Sequence, residues 1–124
     1  ITNCNLGNVT INNTSFKNTI GTTLYLPSSY KFISNILFGP YLDLKNINLL
    51  NTAFTNINLT GSNLTGSDFT GSTFTNCTFS LTNITQTSFQ NVTLINSTSQ
   101  NLIGIPKICP NGYILLNSSF VKSS

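Results

Sequence analysis

The sequence has no histidine, arginine, tryptophan or methionine, and charged residues make up only 6% of it. Without histidine there is no imidazole for acid–base catalysis or for activating a serine or cysteine nucleophile. The only two carboxylates, Asp43 and Asp68, belong to repeats that are well separated in the chain. We therefore expect that the protein is not an enzyme, and that it has no catalytic residues and no cofactor.

The chain also lacks concentrated charge and long apolar runs. Its net charge of +3 rests on scattered lysines: Lys17, Lys31, Lys45, Lys107 and Lys122. A nucleic-acid-binding surface would need a clustered basic stripe, and a membrane span would need about 20 consecutive apolar residues. We expect neither nucleic-acid binding nor membrane insertion. The three cysteines occur without a CxxC pair or a histidine, so no metal site is indicated.

What the sequence has instead is a large apolar residue at every fifth position across its middle. This central column consists of Leu44, Leu49, Phe54, Leu59, Leu64, Phe69, Phe74, Phe79, Ile84, Phe89 and Leu94. A second, mostly small column lies two positions earlier in each repeat: Leu42, Ile47, Thr52, Ile57, Ser62, Ser67, Ser72, Cys77, Thr82, Thr87 and Val92. A period of five excludes a straight helix, where it would rotate side chains by about 140° per repeat. It also excludes a flat strand, where an odd spacing alternates faces.

We predict that each repeat is a strand of about three residues followed by a corner of about two. The strand points both columns inward, and the corners fall at glycine or asparagine, which tolerate left-handed backbone angles. These corner residues are Gly61, Gly66, Gly71, Asn56 and Asn76. Corners that turn in one sense wind the chain into a β-solenoid with a thin axial core. Cys4 and Cys77 both fall in the small column, so we expect them to be buried thiols.

A longer repeat is superimposed on the short one. It is marked by three pairs of residues: Gly21 and Gly104, Pro27 and Pro110, and Tyr30 and Tyr113. The position numbers within each pair differ by 83 (104 minus 21), which we call the long-repeat interval. By this long-repeat interval, residues 1–41 replay residues 84–124. We predict a single continuous solenoid segment over residues 1–124, divided into four stretches. These are the end of one long unit at 1–18, an irregular apolar interruption at 19–41, regular pentapeptide coils at 42–101 and a second interruption at 102–124.

The interruptions are too apolar to be solvated linkers. The first contains large side chains such as Leu24, Tyr30 and Phe38, and Gly39-Pro40 indicates a turn before the regular repeats begin. We expect an irregular coil that continues the stack, with a bulged corner packing Tyr30 against its side; a flexible hinge is the alternative. Because no capping helix is recognisable, we expect a segment of a longer rod or a subunit whose ends abut neighbours.

Two successive repeats carry a family resemblance: Ser62-Asn63-Leu64-Thr65-Gly66 and Ser67-Asp68-Phe69-Thr70-Gly71. They are similar to the A-(D/N)-L-x-x motif of the pentapeptide-repeat family, in its long, interrupted bacterial and viral form, with serine in place of the usual alanine. The resemblance implies an all-β fold, a right-handed quadrilateral β-helix with about 20 residues per coil. Family members that mimic DNA are acidic rods, and this chain departs from them because only Asp43 and Asp68 are acidic.

These features favour a structural repeat protein that forms an elongated rod or filament, as in a fibre, sheath, surface layer or virion component. A surface recognition protein, such as an adhesin or a receptor-binding shaft, is the alternative. An ice-binding solenoid is a minor one, since threonine follows many central residues but also suits exposed strand positions. The expected partners are copies of the chain itself, end to end and laterally, and other surface or capsid proteins. The expected location is extracellular, on a cell surface or on a virion.

Asn-x-Ser/Thr motifs mark candidate glycosylation sites in the regular coils. They are Asn58, Asn63, Asn76, Asn83, Asn91 and Asn96. Many of these motifs arise from the repeat itself, because asparagine precedes the central residue and threonine follows it. Glycans would be added only if the protein passes through a eukaryotic secretory route.

Overall fold

Seven short strands are the only regular elements in the part of the chain that the structure describes. A computed structural model describes residues 2–21 and 25–123, so the predictions for Ile1, Leu24 and Ser124 lie outside the described residues. The strands are β1 (Lys31–Ile33), β2 (Ile36–Phe38), β3 (Ala53–Thr55), β4 (Thr73–Thr75), β5 (Thr93–Ile95), β6 (Tyr113–Leu116) and β7 (Ser119–Lys122).

The middle of the chain winds into a four-sided tube. On one side, β3, β4 and β5 form a parallel sheet in which Phe54 pairs with Phe74 and Phe74 with Leu94. Parallel bridges with the same spacing occur on the three other sides: Asp43 with Asn63, Asn48 with Asp68, and Asn58 with Thr78. Each coil is therefore four pentapeptides long, and every side of one coil is paired with the same side of the next.

The central column fills the axis of the tube. Its fully buried members are Phe54, Leu59, Leu64, Phe69, Phe74, Phe79, Ile84 and Phe89, and Leu44 is 1% exposed. Leu49 and Leu94 are partly buried, because they lie in the outermost regular coils and have a regular coil on one side only. Burying a side chain of this size contributes about 1.5–3 kcal/mol, so this column is the main source of stability.

Aromatic rings connect the coils along the axis. The rings of Phe54 and Phe74 are stacked, with centroids 4.6 Å apart and an interplanar angle of 7°. Phe69 meets both of them edge to face at 5.6 Å. Such pairs add about 0.5–1.5 kcal/mol beyond the area they bury. The pairing of residues one coil apart thus produces ring stacks along the tube and edge contacts across it.

The corners have the left-handed backbone that the sequence predicts. Gly61, Gly66 and Gly71 have φ values of 69°, 71° and 75°, and Asn56 and Asn76 have values of 57° and 54°. The corner prediction is confirmed at these positions. Three other corners break the pattern, because Tyr41, Leu81 and Gln86 adopt φ values of 57°, 57° and 56° with bulky side chains.

Both interruptions contain an antiparallel hairpin. β1 pairs with β2 through a turn at Ser34 and Asn35, and β6 pairs with β7 through a turn at Asn117 and Ser118. All four turn residues have positive φ, as a two-residue hairpin turn requires. The apolar composition of the interruptions predicted an irregular coil rather than these hairpins. In β2 every residue is buried, so the strand has no polar alternation that would reveal it.

The first hairpin is an insertion into a coil. The Asp43 amide donates to the Thr14 carbonyl at 2.9 Å, across the whole hairpin. The equivalent bond between regular coils joins the Asn63 amide to the Leu42 carbonyl, two positions that lie closer together in the sequence. The coil with the hairpin is thus longer than a regular coil, and stacking resumes after the insertion.

The hairpins recur at the long-repeat interval together with their supporting hydrogen bonds. The Tyr30 amide donates to the Pro27 carbonyl, and the Tyr113 amide donates to the Pro110 carbonyl. The Thr19–Asn35 backbone bond recurs between Leu102 and Ser118 in the same way. The marker residues therefore occupy matching places in two copies of one structural unit.

Replacing Leu81 by asparagine should stabilise the protein by about 1 kcal/mol. A bulky L residue in the left-handed region costs about 1–2 kcal/mol, and asparagine adopts that region more readily. Leu81 is 45% exposed, so little apolar burial is lost. Urea unfolding should show the gain for Leu81→Asn but not for Leu81→Ala, which keeps the backbone strain. Equal stability of the two variants would contradict this reading of the corner.

Candidate functional site

The small column forms a ladder of hydroxyl groups inside the tube. The Ser67 hydroxyl accepts from the Ile47 amide at 2.9 Å and donates to the Leu44 carbonyl at 2.7 Å. Ser62 does the same between the Leu42 amide and the Gly39 carbonyl, at 2.9 and 2.6 Å. Each serine therefore fastens its coil to the backbone of the preceding coil by two hydrogen bonds.

The ladder continues along the tube with other donors. The hydroxyls of Thr82 and Thr87 donate to the Leu59 and Leu64 carbonyls, both at 2.8 Å. Every buried polar side-chain atom in the described part of the chain has a hydrogen-bond partner. The five-residue period predicts small inward residues at these positions but not their hydrogen bonds. Serine and threonine stand where the pentapeptide motif usually has alanine, and this is the feature of the sequence that could have indicated the hydroxyl ladder.

The three cysteines are free thiols in different surroundings. Cys77 is buried in the small column and its Sγ lies 3.4 Å from the Phe54 carbonyl oxygen. Burial raises the pKa of the Cys77 thiol. The prediction that Cys4 is buried is wrong, because Cys4 is exposed. Cys109 is half-buried.

Polar clamps cover the outside of three of the four sides. Asn63 Oδ1 accepts from the Thr65 amide at 3.0 Å and from the Thr65 hydroxyl at 2.5 Å. The same clamp joins Asn58 to Thr60, Asp68 to Thr70, and Asn83 to Thr85. Because these hydroxyls donate to their own chain, they are less available to form a regular array toward solvent.

The candidate glycosylation sites fall into two structural groups. Asn58, Asn63 and Asn83 are half-buried members of the clamps. The other three, Asn76, Asn91 and Asn96, are exposed at corners with positive φ. The side chains of the second group are therefore the more accessible ones.

Tyr30 fixes the first hairpin to the tube. The Tyr30 hydroxyl lies 2.9 Å from the carbonyl oxygens of both Ile11 and Pro40. Its ring covers Gly39, where a Cβ atom would overlap it. Burial raises the pKa of the Tyr30 hydroxyl. Its counterpart across the long repeat, Tyr113, is half-buried.

Gly21 and Gly104, which match across the long repeat, both have positive φ. Their values are 89° and 81°, in the region that favours glycine. At Gly104 the close approach of the Thr85 side chain also leaves no room for a Cβ atom. These glycines mark the same bend in both long units.

The charged groups do not assemble into a reactive cluster. Asp43 and Asp68 lie in columns on different sides of the tube, and Asp43 Oδ2 is 3.8 Å from Lys45 Nζ. Residues 2–21 and 25–123 contain no group of three or more metal-ligating side chains. Over the same residues there is no helix long and apolar enough to cross a bilayer.

Exposed aliphatic side chains occur on several sides of the last coils and on the second hairpin. They are Ile95, Ile103, Ile105, Ile108, Ile114, Leu116 and Val121, each at least 39% exposed. β5 is the last strand of its sheet, so its outer edge has no strand beside it among the described residues. These side chains do not form one surface, because Ile95 is in register with Thr75 on one side of the tube, Ile103 with Asn83 on a second and Ile108 with Ser88 on a third.

Comparison with known families agrees with this geometry. A family model described as pentapeptide repeats matches residues 49–98, in nine copies. The match covers less than half of the chain, and it shows that the regular coils are made of pentapeptide repeats. The repeats imply a right-handed quadrilateral β-helix, which is the all-strand, four-sided tube described above, so the predicted family and fold class are confirmed. No curated protein and no solved structure was found to match the chain.

Removing one hydroxyl from the ladder of this pentapeptide-repeat tube should destabilise it. Ser67→Ala leaves the Ile47 amide and the Leu44 carbonyl without their partner, at a cost of about 1–3 kcal/mol. Ser80→Ala, on the outer surface, is the matched control and should change stability by less than about 0.5 kcal/mol. Chemical unfolding of both variants measures the difference. A Ser67→Ala variant as stable as the control would show that the ladder contributes nothing.

Proposed function

We propose that the protein is a structural rod that assembles into filaments by stacking coils end to end. The observation that carries the proposal is the pairing of every side of one coil with the same side of the next, which adds coils along one axis. A coil paired in this way offers its backbone groups to the next coil, as a strand at the edge of a sheet does.

The pairing of coils inside the tube supports growth along the axis. The Leu44 amide donates to the Asn63 carbonyl at 2.8 Å, and the Asn63 amide donates back to the Leu42 carbonyl at 2.9 Å. This pattern repeats from coil to coil and depends only on the backbone and the two inward columns. A coil from another copy with the same pattern can therefore extend the stack.

Three of the four sides of the tube carry polar side chains that bond within the chain. Their asparagine and threonine side chains are joined in clamps such as Asn63 with Thr65 and Asp68 with Thr70. With only 6% charged residues, the coat is polar but nearly neutral. We infer a role as a fibre, sheath, surface layer or virion component, outside the cell or on a cell or virion surface, with further copies of the chain as the principal partner.

Electron microscopy of the purified chain over a range of concentrations tests this proposal. We expect filaments of uniform width, and aligned filaments should give an axial reflection at about 4.8 Å, the spacing of successive coils. Circular dichroism before and after assembly should be the same, because folded tubes add to one another. Monomers at every concentration, or filaments that form only after heat unfolding, would contradict the proposal.

A further inference from the structure

We propose that the number of pentapeptides between the two hairpins sets the direction in which each hairpin faces. In this chain the second long unit is turned by one side of the tube, a quarter of a turn, relative to the first. This arrangement does not depend on the proposed filament, since it concerns the surfaces of a single chain.

The coil before the first hairpin fixes the position of the first long unit. The Asp43 amide donates to the Thr14 carbonyl at 2.9 Å. In the next coil on the same side, the Asn63 amide donates to the Leu42 carbonyl, also at 2.9 Å. Thr14 therefore occupies the place one coil before Leu42, in the column of that side.

The matching residue of the second long unit lies in a different column. By the long-repeat interval, Ser97 corresponds to Thr14 (97 minus 14). The Ser97 hydroxyl accepts from the Cys77 amide at 3.0 Å, and the Thr98 amide donates to the Cys77 carbonyl at 3.0 Å. Ser97 therefore continues the column of Ile57 and Cys77.

These two columns lie on neighbouring sides of the tube. The Leu42 amide donates to the Ser62 hydroxyl at 2.9 Å, so the column of Leu42 continues at Ser62. Ser62 begins the pentapeptide directly after that of Ile57. Since each side of the tube holds one pentapeptide of a coil, the second long unit is turned by one side of four.

The hairpins turn with their long units. The first hairpin is bonded to the preceding coil by the Leu37 amide and the Phe16 carbonyl, at 3.0 Å. The second is bonded by the Phe120 amide and the Ser99 hydroxyl, at 2.9 Å. Phe16 and Ser99 are matched by the long-repeat interval (99 minus 16). The two hairpins therefore face neighbouring sides of the tube.

The quarter turn follows from the number of residues in one long unit. A regular coil takes 20 residues. The bond from Asp43 to Thr14 spans eight residues more than that from Asn63 to Leu42, so the coil with the hairpin takes 28 (20 plus 8). Of the 83 residues in a long unit, 55 remain (83 minus 28), which are eleven pentapeptides. Because eleven is one short of a multiple of four, the next hairpin stops one side early.

One consequence concerns any partner that binds along the tube. On the side of β3, β4 and β5, the residues before the central column are Ala53, Thr73 and Thr93, which lack the asparagine or aspartate of the clamps. Beyond a hairpin the corresponding surface belongs to the neighbouring side. A partner that recognises this surface therefore meets its copies a quarter turn apart, and not in one line.

Distances between two spin labels test the arrangement by double electron–electron resonance. Labels at Ser28→Cys and Asn111→Cys occupy exposed places that match across the long repeat (111 minus 28). The three native cysteines, Cys4, Cys77 and Cys109, are replaced by serine. Excess unlabelled chain keeps every measured distance within one copy, so the result is independent of filament formation.

The variants carry one to four additional copies of Ser67–Gly71, inserted after the original. Each copy adds only about 1.2 Å of rise, a quarter of the spacing between coils. One copy makes twelve pentapeptides, so we expect the label distance to fall by several ångströms although the chain is longer. Three copies should place the labels on opposite sides and give the largest distance of the series.

Four additional copies are the matched control, because they add one whole coil and restore the original direction. Their label distance should exceed that of the unmodified spacing by no more than about 4.8 Å. Deleting Ser67–Gly71 should lengthen the distance, since ten pentapeptides turn the hairpins to opposite sides. Circular dichroism identifies the variants that keep the fold.

Two results would overturn the proposal. A distance that rises steadily with every added pentapeptide would show that direction does not depend on the count. A distance that stays the same throughout would show that the added residues loop out and that the hairpin positions are fixed by other contacts.

Discussion

The structure depends on one constraint, which is that each inward side chain must lie on its counterpart one coil further along the chain. Phe54 on Phe74, with parallel rings 4.6 Å apart, is the clearest instance. The backbone pairing of every side follows the same interval. Three features keep that interval constant. They are the left-handed corners at asparagine and glycine, the hydrogen bonds of the hydroxyls in the small column, and the polar clamps on the outside.

Much of this tube follows from the sequence alone, because its strongest signals are local and periodic. The five-residue spacing predicted the buried column from Phe54 to Phe89, and residues that tolerate positive φ predicted the corners. The hairpins were missed because β2 is buried on both faces and has the composition of any apolar run. The exposure of Cys4 was missed because it depends on whether a neighbouring coil covers the residue, which periodicity does not report.

On the candidate surfaces too, contacts between near neighbours in the sequence could be predicted, whereas contacts between successive coils could not. Clamps such as Asn63 with Thr65 join near neighbours in the sequence and could have been inferred from the Asn-x-Thr pattern. The hydroxyl ladder joins residues from successive coils, for example Ser67 with Ile47 and Leu44, and needs the coil geometry to be recognised. The contrast between buried Phe38 and exposed Val121 is visible only once both hairpins are placed.

The stability of the inward column is the most direct test of the account. We predict that Phe74→Ala, which removes a fully buried ring in contact with Phe54, Phe69 and Phe79, lowers the free energy of unfolding by about 3–5 kcal/mol. Thr75→Ala, on the outer face of the same strand, should lower it by less than about 1 kcal/mol. Equal losses from the two substitutions, measured by urea unfolding, would contradict a tube held together by its axial column.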